Sequence, residues 1–264
     1  MASNKLHCPS PKIFNILQYN LHGLTQGTPL LNHICQNIAP SALFISEHWQ
    51  TPANLHKILN FSNEYTGFGL SAMSSIVQKS ILRGRPWGGC AILIKSDLIA
   101  AVKVILLSDR VVILSLGKLT LVNVYLPCLS LSSVDIIGGI LEEISGALEG
   151  LSLDHLIFGG DLNCNVHDKS AIATMLRDFL LIHQLEFCDQ NIGLDDRCTY
   201  HHASLEHKSY IDFLFMAKAI RPSLTAYCIL DHALNHSDHS VVSLSFTYSN
   251  NNLNIETLLS NQTN

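Results

Sequence analysis

The sequence predicts one α/β domain in which two β-sheets pack face to face with helices outside. Three observations carry this. Short apolar strands alternate with amphipathic helices almost throughout, adjacent strands run in groups broken by single helices, and no linker or internal repeat divides the chain. At 264 residues, 47% hydrophobic and 14% charged, there is ample material for one large core.

The elements follow in order. Phe14 to Tyr19 reads as a strand. Thr28-Pro29 then offers a helix N-cap with proline at the first helical position, and Leu30, Leu31, Ile34 and Ile38 form one face. Ala42 to Ile45 is a buried strand, and Thr51-Pro52 repeats the cap-plus-proline device. Cys90 to Ile94, Val102 to Leu107, Val111 to Leu116 and Leu119 to Tyr125 are strands, with a hairpin turn at Gly117-Lys118. The spacing of Val134, Ile137, Leu141, Ile144 and Leu148 predicts a helix over 133–148. His155 to Phe158 is a strand, and Ala171 to Ile182 a helix capped by Asp168 or Ser170. Tyr210 to Met216, Thr225 to Leu230 and Ser240 to Phe246 complete the strands. The domain is expected over 12–247, between an N-terminal extension at 1–11 and a polar, disordered tail or tether at 248–264.

Composition narrows the function classes. No apolar run is long enough to span a bilayer, and the N-terminus lacks the apolar stretch of a signal peptide, so no membrane association and an intracellular location are expected. The eight cysteines are scattered without a C-x-x-C pair and read as free buried thiols. A zinc site on Cys198, His201 and His202 lacks a second ligand pair. The net charge of −5 argues against a protein that coats nucleic acid, but not against an enzyme that grips a few phosphates through cations. The densest basic stretch, Lys79 to Arg85, reads equally as a phosphate-contacting loop or a solvated one.

Several strands stop at an acid or amide where the chain leaves the core: Asn20, Glu47, and Asp161 with Asn163 after two glycines. Each has a plain structural explanation, as strand terminator, loop acid or Asx-turn. Their recurrence at strand ends, with the late cluster Ser237-Asp238-His239, points to oxygen ligands converging on one cleft from separate rigid elements. Rival motifs are absent. No phosphate-binding G-x-x-x-x-G-K-[ST] loop occurs, since Gly117-Lys118 lacks the earlier glycine at Val112. There is no G-x-S-x-G elbow and no H-E-x-x-H.

Six motifs then occur in a telling order. They are Tyr19-Asn20-Leu21-His22-Gly23-Leu24, Ser46-Glu47, Asn123-Val124-Tyr125-Leu126-Pro127, Gly160-Asp161-Leu162-Asn163, Ile211-Asp212 and Ser237-Asp238-His239. The set resembles the endonuclease/exonuclease/phosphatase superfamily and spans nearly the whole chain. The stretches Ser46-Glu47-His48-Trp49, Thr51 to Leu55 and Arg83 to Ala91 resemble most the apurinic-type endonuclease domain of non-LTR (LINE-like) retrotransposons. That resemblance implies a DNase I-like fold, a four-layered sandwich of two mostly antiparallel sheets.

It also implies roles. Glu47 would be the principal Mg²⁺ ligand (Mn²⁺ substituting), with Asn20 in or beside the metal site. Asp161 would align or deprotonate the attacking water and Asn163 orient it. Tyr125 would reach the scissile phosphate or leaving oxygen. His239, held by Asp212, would stabilise charge developing on phosphorus. Asp238 would be a supporting or second-metal carboxylate, Ser237 a supporting hydrogen bonder, and Arg83 and Arg85 substrate contacts. His22 departs from the DNA-repair branch, which usually carries an acid there, and puts a second metal contact in doubt.

The implied activity is Mg²⁺-dependent nicking of DNA to leave a 3′-hydroxyl that primes reverse transcription. The expected partners are DNA and a reverse transcriptase domain of the same element. The chain is expected as a monomer, nuclear if it acts on chromosomal DNA. Two alternatives stay open: a phosphatase or phosphodiesterase acting on lipid headgroups or RNA ends, and a domesticated copy that only binds a partner.

Overall fold

A computed structural model describes residues 12–79, 84–128, 133–189, 197–202 and 204–249. In chain order the strands are β1 (Lys12–Asn20), β2 (Ala42–Ser46), β3 (Tyr65–Leu70), β4 (Cys90–Lys95), β5 (Val102–Leu107), β6 (Val111–Leu116), β7 (Leu119–Tyr125), β8 (Leu156–Asp161), β9 (Leu185–Phe187), β10 (Tyr200–His202), β11 (His207–Ser209), β12 (Asp212–Ala217), β13 (Leu224–Leu230) and β14 (Val241–Tyr248). The helices are α1 (Leu24–His33), α2 (His56–Leu59), α3 (Ser74–Lys79), α4 (Ser133–Leu148) and α5 (Ala171–Ile182).

Two six-stranded sheets form, in the orders β13-β14-β1-β2-β4-β3 and β5-β6-β7-β8-β12-β9, with β10 and β11 as a separate hairpin. Each large sheet has one parallel pair, β1–β2 and β7–β8, and is otherwise antiparallel. The expected sandwich of mostly antiparallel sheets with helices around it is what is found.

Period-two alternation sorts β1 and β2 between two cores. Phe14, Ile16, Ala42 and Phe44 join the core shared with the second sheet, together with Leu121 and Phe158. Leu17, Tyr19, Leu43 and Ile45 face Leu30, Leu31 and Ile34 of the α1 region instead. Continuing the same alternation, Gln18 and Asn20 fall on the inter-sheet face at the end of β1, where apolar packing gives way to polar groups. Asn123 on β7 crosses between the sheets, its amide donating to the carbonyls of Ile45 (3.0 Å) and Ala91 (2.9 Å).

Several expected details are corrected. α1 begins at Leu24, not after Thr28, because the backbone N–H groups of Gly23 and Leu24 bond the carbonyls of Glu47 and His48 and anchor the chain earlier. Pro29 thus lies inside the helix, and Thr28 bonds back to Leu24 O rather than capping. Ile38 is exposed because residues 34–38 wind as a wider π turn ending at left-handed Ala39. Thr51-Pro52 opens only a 3₁₀ turn, and the Thr51 side chain does not cap it. Ser170, not Asp168, caps α5, accepting from Ala173 N–H. β14 runs to buried Tyr248, one residue past the expected boundary. The extension at 1–11 and the tail from 250 lie outside the described residues.

The two glycines before Asp161 answer to neighbouring strands as well as to a bend. A Cβ at Gly159 would collide with the Phe213 carbonyl on β12, and one at Gly160 (φ +135°) with the Val124 carbonyl on β7. Gly160→Ala is therefore expected to cost roughly 2–5 kcal/mol through backbone strain and overpacking. A fall in thermal midpoint of several degrees in a melt monitored by circular dichroism checks this, and an unchanged midpoint refutes it.

Candidate active site

Two carboxylates stand at the centre. Asp161 at the end of β8 and Asp212 at the start of β12 are direct cross-strand partners, and both are fully buried. Like charges in that relation repel, so each is wrapped in donors. Asp161 accepts from the Asn20 side-chain amide (2.9 Å) and the Asn163 backbone N–H (2.8 Å). Asp212 accepts from the Gln18 side-chain amide (2.9 Å) and from His239 Nδ1 (2.9 Å). Thr199 Oγ1 accepts from the backbone N–H groups of Ile211 and Asp212 and so fixes the start of β12.

His239 is buried, which by itself would make its charged form costly. The Asp212 carboxylate outweighs that, with Asp161 and Asp238 adding to it, and the imidazole is pushed up to about 10. His239 is thus an imidazolium at neutral pH, with Nδ1 donating to Asp212. Burial and the Asp212 charge push Asp161 up to about 7, against the pull of His239 and the Asn163 and Asn20 donors. The Tyr125 hydroxyl, beside Glu47, is raised far above the ordinary range by burial and the Glu47 and Asp161 charges, and so stays protonated.

Glu47 follows β2 with left-handed backbone (φ 52°). Its oxygens accept from the Asn20 amide (3.0 Å) and from Trp49 Nε1 (3.0 Å). Asn20 therefore clasps Glu47 and Asp161 with one NH₂ group, while its own oxygen accepts the His22 backbone N–H (3.0 Å). Ser237 donates to Asn20 O (2.8 Å) and accepts from His239 N–H (3.1 Å), fastening the loop before β14 to the end of β1. Asn235 braces that loop by donating to His239 O and accepting from Tyr19 Oη.

Of the residues singled out by sequence, Asn20, Glu47, Asp161, Asp212 and His239 are linked directly, with Tyr125 against Glu47. Asn163 (φ 46°) adjoins Asp161, but its amide is engaged with Leu126 O (2.8 Å). Asp238 pairs with His22 Nδ1 at 2.9 Å and lies 3.9 Å from His239 Nε2; burial opposes its charge, yet the His22 bond and the His239 charge hold it below the usual range. Arg85 lies 5.5 Å from the Trp49 ring centroid, and Arg83 is outside the described residues. Gln18, Thr199 and Trp49 were not anticipated. The alternation that places Asn20 on the inter-sheet face was a signal for Gln18; no local signal marks Thr199.

Among the described residues, one group of three or more acids, histidines or cysteines converges as metal ligands do. Atoms of Glu47, Asp161 and His239 lie within 4.8 Å of one another. Cys198, His201 and His202 form no such group. Carboxylate oxygens suit a hard divalent cation such as Mg²⁺. His239 holds its proton for Asp212, so the residues that fit the ion are Glu47 and Asp161, with His239 and Asn20 as donors beside it.

This arrangement sets a pH dependence. Below about 7 Asp161 binds a proton that a cation must displace, so Mg²⁺ affinity should rise about tenfold per pH unit up to neutrality and then level off. The same raised acid destabilises the metal-free fold. Between its unfolded value near 4 and about 7 the folded chain binds the extra proton, so stability should fall as pH rises through that window. Calorimetric Mg²⁺ titrations at pH 5.5, 6.5 and 7.5 check the first expectation, and a pH-independent affinity overturns it.

No protein-family model matches the sequence, and no curated protein matches it. Solved structures do. The endonuclease domain of TRAS1, a telomere-specific non-LTR retrotransposon, is 18% identical and superposes with a TM-score of 0.65 over 89% of this chain and 98% of its own. The 3′ phosphatase NExo from Neisseria, bound to a product DNA hairpin, is 14% identical (TM-score 0.65) over 89% of this chain and all of its own. The AP endonuclease LMAP from Leishmania major is 10% identical (TM-score 0.68) over 90% and 88%. Across that length this chain shares the fold of these structures, a DNase I-like α/β sandwich.

Proposed function

We propose that the chain is a Mg²⁺-dependent endonuclease that hydrolyses a DNA phosphodiester to leave a 3′-hydroxyl, nicking a target site for retrotransposition. The observation that carries this reading is the convergence of Glu47 and Asp161 with an imidazolium, His239, locked by Asp212. A retrotransposon endonuclease and AP endonucleases among the structural neighbours support it.

The groups divide the reaction between them. Glu47 and Asp161 would hold a divalent cation (Mg²⁺ or Mn²⁺), which would supply charge neutralisation on the phosphate oxygens. Asp161, held in place by the Asn20 amide and the Asn163 N–H, accepts the proton of the attacking water as the water oxygen bonds phosphorus. The bond from phosphorus to the 3′ oxygen breaks. His239 donates a hydrogen bond to a non-bridging oxygen as negative charge grows there. Tyr125, kept protonated beside Glu47, donates a hydrogen bond toward the departing 3′ oxygen, which takes its proton from solvent. Asn20 holds the two acids together, and Asn163 closes the backbone over Asp161. A reverse transcriptase domain extending the 3′-hydroxyl would be the natural partner, and the nucleus the natural location on chromosomal DNA.

The acidic balance, 21 Asp and Glu against 16 Lys and Arg, favours a second reading, a phosphatase or phosphodiesterase on lipid headgroups or RNA ends. Nicking of supercoiled plasmid by the purified chain, with Mg²⁺, Mn²⁺ or chelator, separates the two. The expected result is metal-dependent nicks that a DNA polymerase extends without further processing. His239→Ala and Asp161→Asn should each slow nicking on the order of 10²–10⁴-fold. Intact plasmid under every divalent ion, with phosphate released from a phosphoinositide or an RNA end, decides for the second reading.

A further inference from the structure

We propose that the pocket walled by Trp49 and Arg85 is a nucleobase subsite, in which one base of the substrate stacks on the Trp49 ring. The inference rests on the nucleic-acid reading above and names what part of that substrate is gripped beside the cluster.

Trp49 is held in an unusual way. Its backbone is left-handed (φ 52°), a conformation that bulky residues avoid. The strain is offset by fixed contacts: Trp49 N–H bonds Gly88 O (3.0 Å) and Nε1 bonds Glu47 Oε2 (3.0 Å). The ring lies so close over Gly23 that a Cβ there would meet Cε3 at 2.5 Å, and its centroid is 4.9 Å from that of His22. A half-buried indole is thus rigidly aimed, one hydrogen bond away from a carboxylate of the metal cluster. Beside it opens a cavity of about 310 Å³, rimmed by Thr25, Gln26, Gln50 and Arg85. Arg85 is exposed, with its guanidinium 5.5 Å from the indole centroid.

The chemistry selects a flat, uncharged π surface. An anion against the indole would sit next to Glu47, whereas a base stacks on an aromatic plane whatever its identity. Arg85, whose guanidinium lies over the indole ring, moves aside for the entering base and can then cover its outer face or take its phosphate. Magnitudes point the same way. With few basic residues, phosphate contacts offer little affinity, and one stacked base contributes as much as several exposed ion pairs.

The chain has two tryptophans, so Trp87→Phe leaves Trp49 as the sole indole reporter. Oligothymidylate, added in chelator, should quench this variant's fluorescence saturably. A backbone of equal length carrying tetrahydrofuran in place of every base should not. By fluorescence anisotropy, Trp49→Leu should weaken oligothymidylate binding roughly 5- to 150-fold and leave the baseless backbone unaffected. Trp49→Phe, which keeps a ring but lacks the Glu47 bond, should recover most of the loss. Equal quenching by the baseless backbone, or unchanged binding by Trp49→Leu, overturns the inference. Neither readout needs cleavage. A chain that binds and quenches without nicking keeps the subsite and loses the nuclease; one that nicks without quenching does the reverse.

Discussion

The site is organised by a repulsion. Asp161 and Asp212 face each other in register on adjacent strands, fully buried, and an uncompensated pair of this kind would not be tolerated in a folded core. Gln18 and Asn20 reach from the other sheet to bond one carboxylate each. His239 takes a proton and gives its Nδ1–H to Asp212. With Glu47 included, three carboxyl groups crowd around one imidazolium, and the rise of Asp161 to about 7 reflects that crowding. A divalent cation there would relieve that crowding, so electrostatics and ligand geometry point to the same position.

The sheets must therefore be close and fixed where the polar groups meet. Asn123 ties β7 to Ile45 and Ala91 across the gap, and Gly159 and Gly160 let β8 approach its neighbours. Below this level the inter-sheet face is aliphatic and aromatic; above it the same alternation delivers Gln18, Asn20 and Asp161. Apolar burial contributes most of the stability, and the polar layer sits at its rim. There one edge opens to a cavity lined by Glu47, Asn163 and His239, and the other is braced by Ser237 and Asn235.

Much of this could be read from the chain. Strands β5, β6 and β7 and helix α4 begin and end where the apolar periodicity puts them, because these segments are long, regular and bounded by turn residues. β3 escaped notice because Gly67 and Gly69 depress its strand character; both are required by close neighbours, Leu59 and Ala91. The hairpin β10–β11 was missed because its strands are short and polar, and its link to the loop before β14, a bridge from Tyr200 to His239, joins residues remote in sequence. The start of α1 was misplaced because the bonds that set it come from residues 47 and 48, remote in sequence. The strand-end acids were legible as a set. That Asn20 presents NH₂ to two carboxylates, or that Thr199 pins β12, depends on contacts between elements that no local pattern records.

His22 shows how one substitution within a motif reshapes the electrostatics. An acid at this position would add a further negative charge beside Asp238 and invite a second cation. Here His22 instead bonds Asp238 at 2.9 Å, and the two shift in opposite directions, the imidazole up and the carboxyl down, as an ion pair does. A cation at Asp238 would have to displace this partner and leave the imidazolium 4.9 Å from the Trp49 ring without its counter-charge. The Glu47–Asp161 position meets no such obstacle, because there the excess negative charge has no protein cation left to take it up. The asymmetry favours one position for a cation, and it leaves the His22 ring packed against Trp49, beside the base subsite proposed above.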